Sequence, residues 1–122
     1  MVVRYVWCKI NAGESTCGDF YTEKNNYVGK YIPEQLTGFA VDNNWTPANI
    51  VLERFNPMDE TWDLVCDVSG GEIEFPITPT RTVVISSLDT VGINHCRIRS
   101  RSNEQDVIQL NDTIITVFCQ RF

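Results

Sequence analysis

Residues 44–67 read NWTPANIVLERFNPMDETWDLVCD, and the fold of the chain turns on them. From Asn49 the side chains alternate. Ile50 and Leu52 fall to one side, followed by Arg54, with Val51, Glu53 and Phe55 on the other, the period of two that marks a strand. Asn56-Pro57, followed by Asp59 and Glu60, is a turn by its chemistry. Thr61-Trp62-Asp63-Leu64 then resumes the strand. The stretch is thus a hairpin with a tryptophan near each end. Large aromatics within strands are more often core than surface, so Trp45 and Trp62 are expected to anchor the hairpin against an opposing sheet.

The same period extends outward in both directions. VRYVWCKI (3–10) puts Val3, Tyr5 and Trp7 on one face and Arg4, Val6 and Cys8 on the other. YVGKYI, LTGFAV, EIEFPI, RTVVIS, NHCRIRS, DVIQL and TIITVF are further short candidate strands, separated by Gly-, Asn- and Pro-containing turns. Only IPEQL and SSLDTVG offer room for a helical turn. Turn signals every eight to twelve residues predict an all-β fold. The expected architecture is an antiparallel β-sandwich, jelly-roll or Ig-like, of about eight to ten short strands in a single domain over residues 1–122.

Composition narrows the function. The net charge is −6, with five Lys or Arg against twelve acids in residues 1–80 and five Arg against four acids in residues 81–122. So acidic a chain is a poor ligand for nucleic acid and is repelled by anionic lipid, so neither is expected as a partner. No run approaches the ~20 apolar residues that span a bilayer, and Arg4 and Lys9 interrupt any secretory h-region. Five cysteines, an odd number without a C-x-x-C pair, read as free thiols. The spacings match no metal motif, so neither metal nor cofactor is expected.

Catalytic signals are weak, and no catalytic residue is assigned. His95, the single imidazole, adjoins Cys96, but neighbouring strand residues point to opposite faces and so cannot form a nucleophile–base pair. Glu72 and Glu74 share one strand face, where paired carboxylates are usually solvated rather than arranged about a cleft. Asp59, Glu60, Asp63 and Asp67 lack the alternation of a calcium loop. CRIRSRS aligns Arg97, Arg99 and Arg101 on one face. That face is either solvated or, since arginine binds carboxylates bidentately, an electrostatic contact with an acidic neighbour such as a second copy of the chain.

The ordered series Trp45-Thr46-x-Ala48, an alternating strand ending at Phe55, and Thr61-Trp62-Asp63-Leu64 resembles a recurrent domain of tailed-bacteriophage virion proteins. TPTRTVVI with Arg81 continues the likeness, as do Gly92, Arg99 and Ser100 in LDTVGINHCRIRS. Gln109 with DTIITV (112–117) closes the series. The motifs are soft and gain specificity from order and spacing across residues 37–118. The sequence departs from the pattern at Arg101-Ser102-Asn103 and at NPMDE, both in turns.

The resemblance implies a non-enzymatic virion structural protein, assembled in the host cytoplasm and exposed on the capsid exterior. Its partners would be the major capsid protein and further copies of itself, as a dimer or trimer. No collagen-like or heptad segment is present to form a stalk, which favours capsid decoration over host attachment. Tyr5, Trp7 and Phe122, with Arg97, Arg99 and Arg101, are the expected interface residues, and Val2–Ile10 and Thr113–Phe118 the expected open edges. The alternative is a tail-associated carbohydrate-binding module in which Trp45 and Trp62 stack on sugar beside Asn44 and Asp63.

Overall fold

The computed structural model of the chain describes residues 2–25, 31–85 and 95–121. In chain order its strands are β1 (Val2–Ile10), β2 (Phe20–Tyr21), β3 (Glu23–Asn25), β4 (Tyr31–Pro33), β5 (Gln35–Val41) and β6 (Asn49–Asn56). There follow β7 (Thr61–Leu64), β8 (Phe75–Pro76), β9 (Thr82–Val84), β10 (His95–Ser102), β11 (Gln105–Asp106) and β12 (Thr113–Arg121). No helix occurs among the described residues. IPEQL is strand rather than helical turn, whereas SSLDTVG and the first part of YVGKYI lie outside them.

One antiparallel sheet has the order β1-β12-β5-β9. The other is built on β11-β10-β6-β7, with β2 added to β10 and β8 to β6, while β3 and β4 form a separate ribbon. The two sheets pack face to face. β1 contributes Cys8 and Ile10, β5 Leu36 and Phe39, and β12 Ile115, Val117 and Cys119. Ile50 and Leu52 of β6 and Cys96 and Ile98 of β10 meet them from the second sheet. Each fully buried side chain of this size contributes roughly 1.5–3 kcal/mol. This is the all-β sandwich that the period-two pattern predicts.

The edges differ from expectation at one end. β1 is an edge strand, paired in register with β12 from Val2–Arg121 to Ile10–Thr113. β12 is also paired with β5 on its other side, so it lies inside the sheet and presents no open edge. Between Phe118 and Cys119 the β12–β5 register slips, leaving Thr37 as an extra bulge residue. Next to it, Gly38 comes so close to β9 that a Cβ there would lie 2.7 Å from the Val83 carbonyl oxygen. Only glycine permits that approach.

DVIQL is mostly not strand. Asn103 and Glu104 both have positive φ (51° and 64°) and connect β10 to β11 as the two-residue turn whose twist suits a hairpin. Their backbone N–H groups donate to the Glu74 carboxylate at 3.2 and 3.3 Å, which holds the strained pair. β11 then stops because Gln109 turns inward to tie loops together. Its side chain accepts from the Thr46 N–H (2.7 Å) and donates to the Thr46 carbonyl (3.1 Å), and its backbone bonds Gly13 and Glu14.

All five cysteines are unpaired thiols; Cys66 is exposed and the other four line the core. Burial pushes the Cys96 thiol up and that of Cys119 up to about 11. The hydrogen bond to Cys17, with burial, raises Cys8 as well. Protonated at neutral pH, Cys8, Cys96 and Cys119 act as small apolar core residues rather than nucleophiles.

Candidate functional site

A sandwich has two outer faces, and here they are built from opposite materials. On the four-stranded sheet, strand pairing sets two rows of neighbours across the outside. Trp7, Thr116, Ala40 and Thr82 form one row; Tyr5, Phe118, Gly38 and Val84 form the next. Ile114, opposite Lys9, extends the surface beyond the first row. Trp7 is 71% exposed, Val84 81%, Tyr5 53% and Ile114 40%. The Tyr5 and Phe118 rings meet edge to face at 5.3 Å, which orders the patch without covering it. Its charged side chains among the described residues stand at one end: Lys9, drawn aside to Asp112 at 3.3 Å, and Asp42 opposite Ile114, whose carboxylate accepts from the Ile114 N–H at 2.9 Å.

The outer face of the six-stranded sheet is charged and closed upon itself. Arg97, Arg99 and Arg101 do share one face, as their alternation requires. Glu53, only 4% exposed, accepts from Arg97 Nε at 2.8 Å and Arg99 Nε at 3.0 Å. Asp106 bridges Arg99 Nη1 (2.6 Å) and Arg101 Nη1 (2.9 Å), and Glu72 accepts from Arg101 Nε (2.8 Å) and Nη2 (2.6 Å). Hydrogen bonds from Arg101 hold the Glu72 carboxyl below its usual range. Burial works to raise Asp106, but Arg101 and Arg99 outweigh it and leave it lowered. The charges expected to reach for an acidic partner are met by acids of the same chain.

The ladder ends in an aromatic cluster. Strand register places Phe55 opposite Trp62, and His95 opposite Tyr21. His95 stacks on Tyr21 at 4.1 Å and 15° and meets Phe55 at 5.0 Å and Trp62 at 5.3 Å. Its Nε2 lies 2.7 Å from Asp19 Oδ2, and this bond holds Asp19 below its usual value. Arg97 caps the Trp62 ring at 4.6 Å, a cation–π contact. Beside the cluster, Tyr21, Arg54, Phe55, Pro57 and His95 line an open pocket of about 330 Å³. Cys96 points the other way into the core, so His95 and Cys96 do not meet.

The two hairpin tryptophans part company here. Trp45 is core, 5% exposed, with its Nε1 donating to the Ala48 carbonyl at 3.3 Å. Trp62 does not anchor against the opposite sheet; it lies half-buried on the outer face. At the tip of the β6–β7 hairpin even the inward positions, Arg54 and Asp63, are polar and about half exposed, 4.0 Å apart.

Trp45, Trp62, Asn44 and Asp63 are therefore not brought together. Asn44 caps a loop at the other end, its N–H bonded to Asp42 and its amide donating to the Asp112 carbonyl at 3.4 Å. The length of β6, about 23 Å for seven residue steps, separates it from Trp62, and Asp63 lies on the opposite face of β7. Tyr5 and Trp7 stand exposed on the apolar face; Phe122 lies outside the described residues. Sequence reading missed Ile114, Phe118 and Val84 on that face, and the Asp19–Tyr21–His95 cluster on the other. Comparison with protein families, with curated proteins and with solved structures finds no match to this chain, so the functional reading rests on its own residues.

Proposed function

We propose that the chain is a non-enzymatic structural protein of a tailed-phage virion, working by docking, and that it decorates and cements the capsid exterior. The observation that carries the docking part is the uncovered apolar face of the four-stranded sheet. Trp7, Tyr5, Ile114 and Val84 stand out on a sheet that exposes them in contiguous rows. Contiguous patches of this kind mark interaction surfaces, whereas scattered exposed apolar residues do not. The ordered likeness to virion domains supplies the setting, with the major capsid protein as partner. A cement protein stabilises whichever shell arrangement it binds best, in proportion to its differential affinity.

The test is co-sedimentation of the purified protein with capsids stripped of minor proteins, with bound copies counted. Saturation at hundreds of copies per particle supports decoration. A dozen copies or fewer would place the protein at a tail vertex, and no binding would remove the capsid reading altogether.

A second reading, glycan attachment from the tail, keeps support from one observation. The open pocket at Tyr21, Phe55 and His95 sets aromatic rings beside the Arg54 guanidinium, a combination suited to stacking on a sugar ring and bonding its substituents. The original set of Trp45, Trp62, Asn44 and Asp63 has no such convergence. Glycan-array binding abolished by Tyr21→Ala would promote this reading above decoration.

A further inference from the structure

We infer that the apolar face of the four-stranded sheet is the contact between two copies of this chain, packed face to face about a twofold axis. The inference deepens the docking reading and rests on it for the idea that this face is covered, but it names a different occupant from the capsid. Three features of the face select a second copy.

The first is shape. Trp7 and Tyr5 on β1 make a ridge along one edge, whereas Ala40 and Gly38 on β5 make a trough two strands away, about 10 Å across the sheet. Gly38 cannot carry a Cβ, because the Val83 carbonyl lies 2.7 Å and the Phe118 ring 3.4 Å from its place, so β5 stays low beside the β1 ridge, with the Phe118 ring forming part of the floor. A twofold rotation places each copy's ridge over the other's trough, the self-complementarity that an isologous interface requires.

The second is charge. Each copy carries −6, so two copies repel over most of their surfaces. Among the described residues the face carries only Lys9 and Asp42, both at one end and already turned to Asp112 and to the Ile114 N–H. Two such acidic chains approach over it with little repulsion.

The third is area. Four strands of these lengths give a flat footprint of about 450 Å² per copy, so face-to-face packing covers about 900 Å² before the relief of the side chains is counted. With that relief added, the total lies close to the ~1,000 Å² expected of a specific interface. Trp7 and Tyr5 supply the aromatic anchors that such interfaces favour.

The experiment is sedimentation velocity of the full chain from about 1 to about 100 µM. The expected result is a rise from 13.9 kDa toward twice that mass. Trp7→Glu and Val84→Glu, at opposite edges of the face and each largely exposed, should both fold. Each should weaken the dimer by roughly tenfold or more, while Thr61→Lys, on the far sheet, should leave it unchanged. Raising NaCl from about 20 to about 500 mM should tighten the dimer, since screening removes net repulsion, whereas a contact made through ion pairs would weaken.

A wild-type chain that stays monomeric throughout overturns the inference. So does a dimer that survives both Trp7→Glu and Val84→Glu, which would indicate pairing elsewhere, such as along the β1 edge. Because association is read on the purified chain, its outcome is separable from capsid binding. A monomer that still saturates capsids sinks the dimer alone, and a dimer that binds no capsid sinks the decoration reading alone.

Discussion

The two outer faces of the sandwich follow the same strand periodicity and reach opposite results. On the six-stranded sheet, every outward arginine of β10 has found a carboxylate: Glu53 beneath Arg97 and Arg99, Asp106 between Arg99 and Arg101, Glu72 on Arg101. On the four-stranded sheet, Trp7, Tyr5, Ile114 and Val84 have found almost nothing. A charged face satisfied within the chain gains little from a partner, since its bonds would have to be exchanged one for another. An apolar face left in water gains from any surface that removes it. The contrast separates the part of the molecule that holds itself together from the part free to hold something else.

The contrast breaks most decisively at Glu53. Glu53→Ala should lower unfolding stability in urea by about 3 kcal/mol, because it leaves two partly buried guanidiniums without their shared acceptor. A loss below about 1 kcal/mol would mean that water replaces the carboxylate freely and that the charged face is not self-contained. The tryptophans come next. Trp45→Ala should cost about 3–5 kcal/mol as a core truncation. Trp62→Ala should cost only about 1–2 kcal/mol, from its edge-to-face ring contacts and the Arg97 cap. Equal losses would put both rings in the core and undo the placement of Trp62.

Trp62 also shows where sequence reasoning stops. Alternation correctly separated Ile50 and Leu52 from Val51, Glu53 and Phe55, and Cys8 from Trp7, because period two is a property of one strand alone. It placed three arginines on one face for the same reason. Which positions are covered depends on what packs across from them, and the exposure at the tip of the β6–β7 hairpin is a global fact that no window of residues contains. The acids that meet the arginines come from residues 53, 72 and 106, and only the pairing of β10 with β6 and β11 brings Glu53 and Asp106 beside them. The apolar face was half legible. Tyr5 and Trp7 alternate visibly, and so do Ile114, Thr116 and Phe118, but their union needs the β1–β12 register. Val84 joins only across the close approach at Gly38.

Acid should act on the charged face before the apolar one. Asp19, Glu72 and Asp106 all titrate below their ordinary values in the folded chain. The causes are His95 for Asp19, Arg101 for Glu72, and arginine bonds that outweigh burial for Asp106. As pH falls through the ordinary values of 3.8 and 4.5, the unfolded chain takes up protons that the folded chain resists. Stability from these groups is thus complete above that window and is lost on acidification through it. Urea midpoints measured between about pH 7 and pH 3 should stay level and then fall, and the fall should be shallower in Glu72→Gln. A midpoint that is flat down to pH 3 would show that the ion pairs contribute nothing to folding.

The smallest expected effect is the sharpest test of the other face. Trp7→Ser removes the largest exposed ring of the chain, yet unfolding of the monomer at low concentration should change by no more than about 0.5 kcal/mol. Burial, not size, sets the value of a side chain to its own fold, and Trp7 is 71% in water. A loss above about 1.5 kcal/mol would mean that the ring packs within the chain, and the apolar face would then be a second, shallow core rather than a surface held ready. A null effect on the monomer combined with weaker association at high concentration would separate the two roles of a strand residue. The inward side of β1 serves the sandwich, and the outward side is available only to a partner.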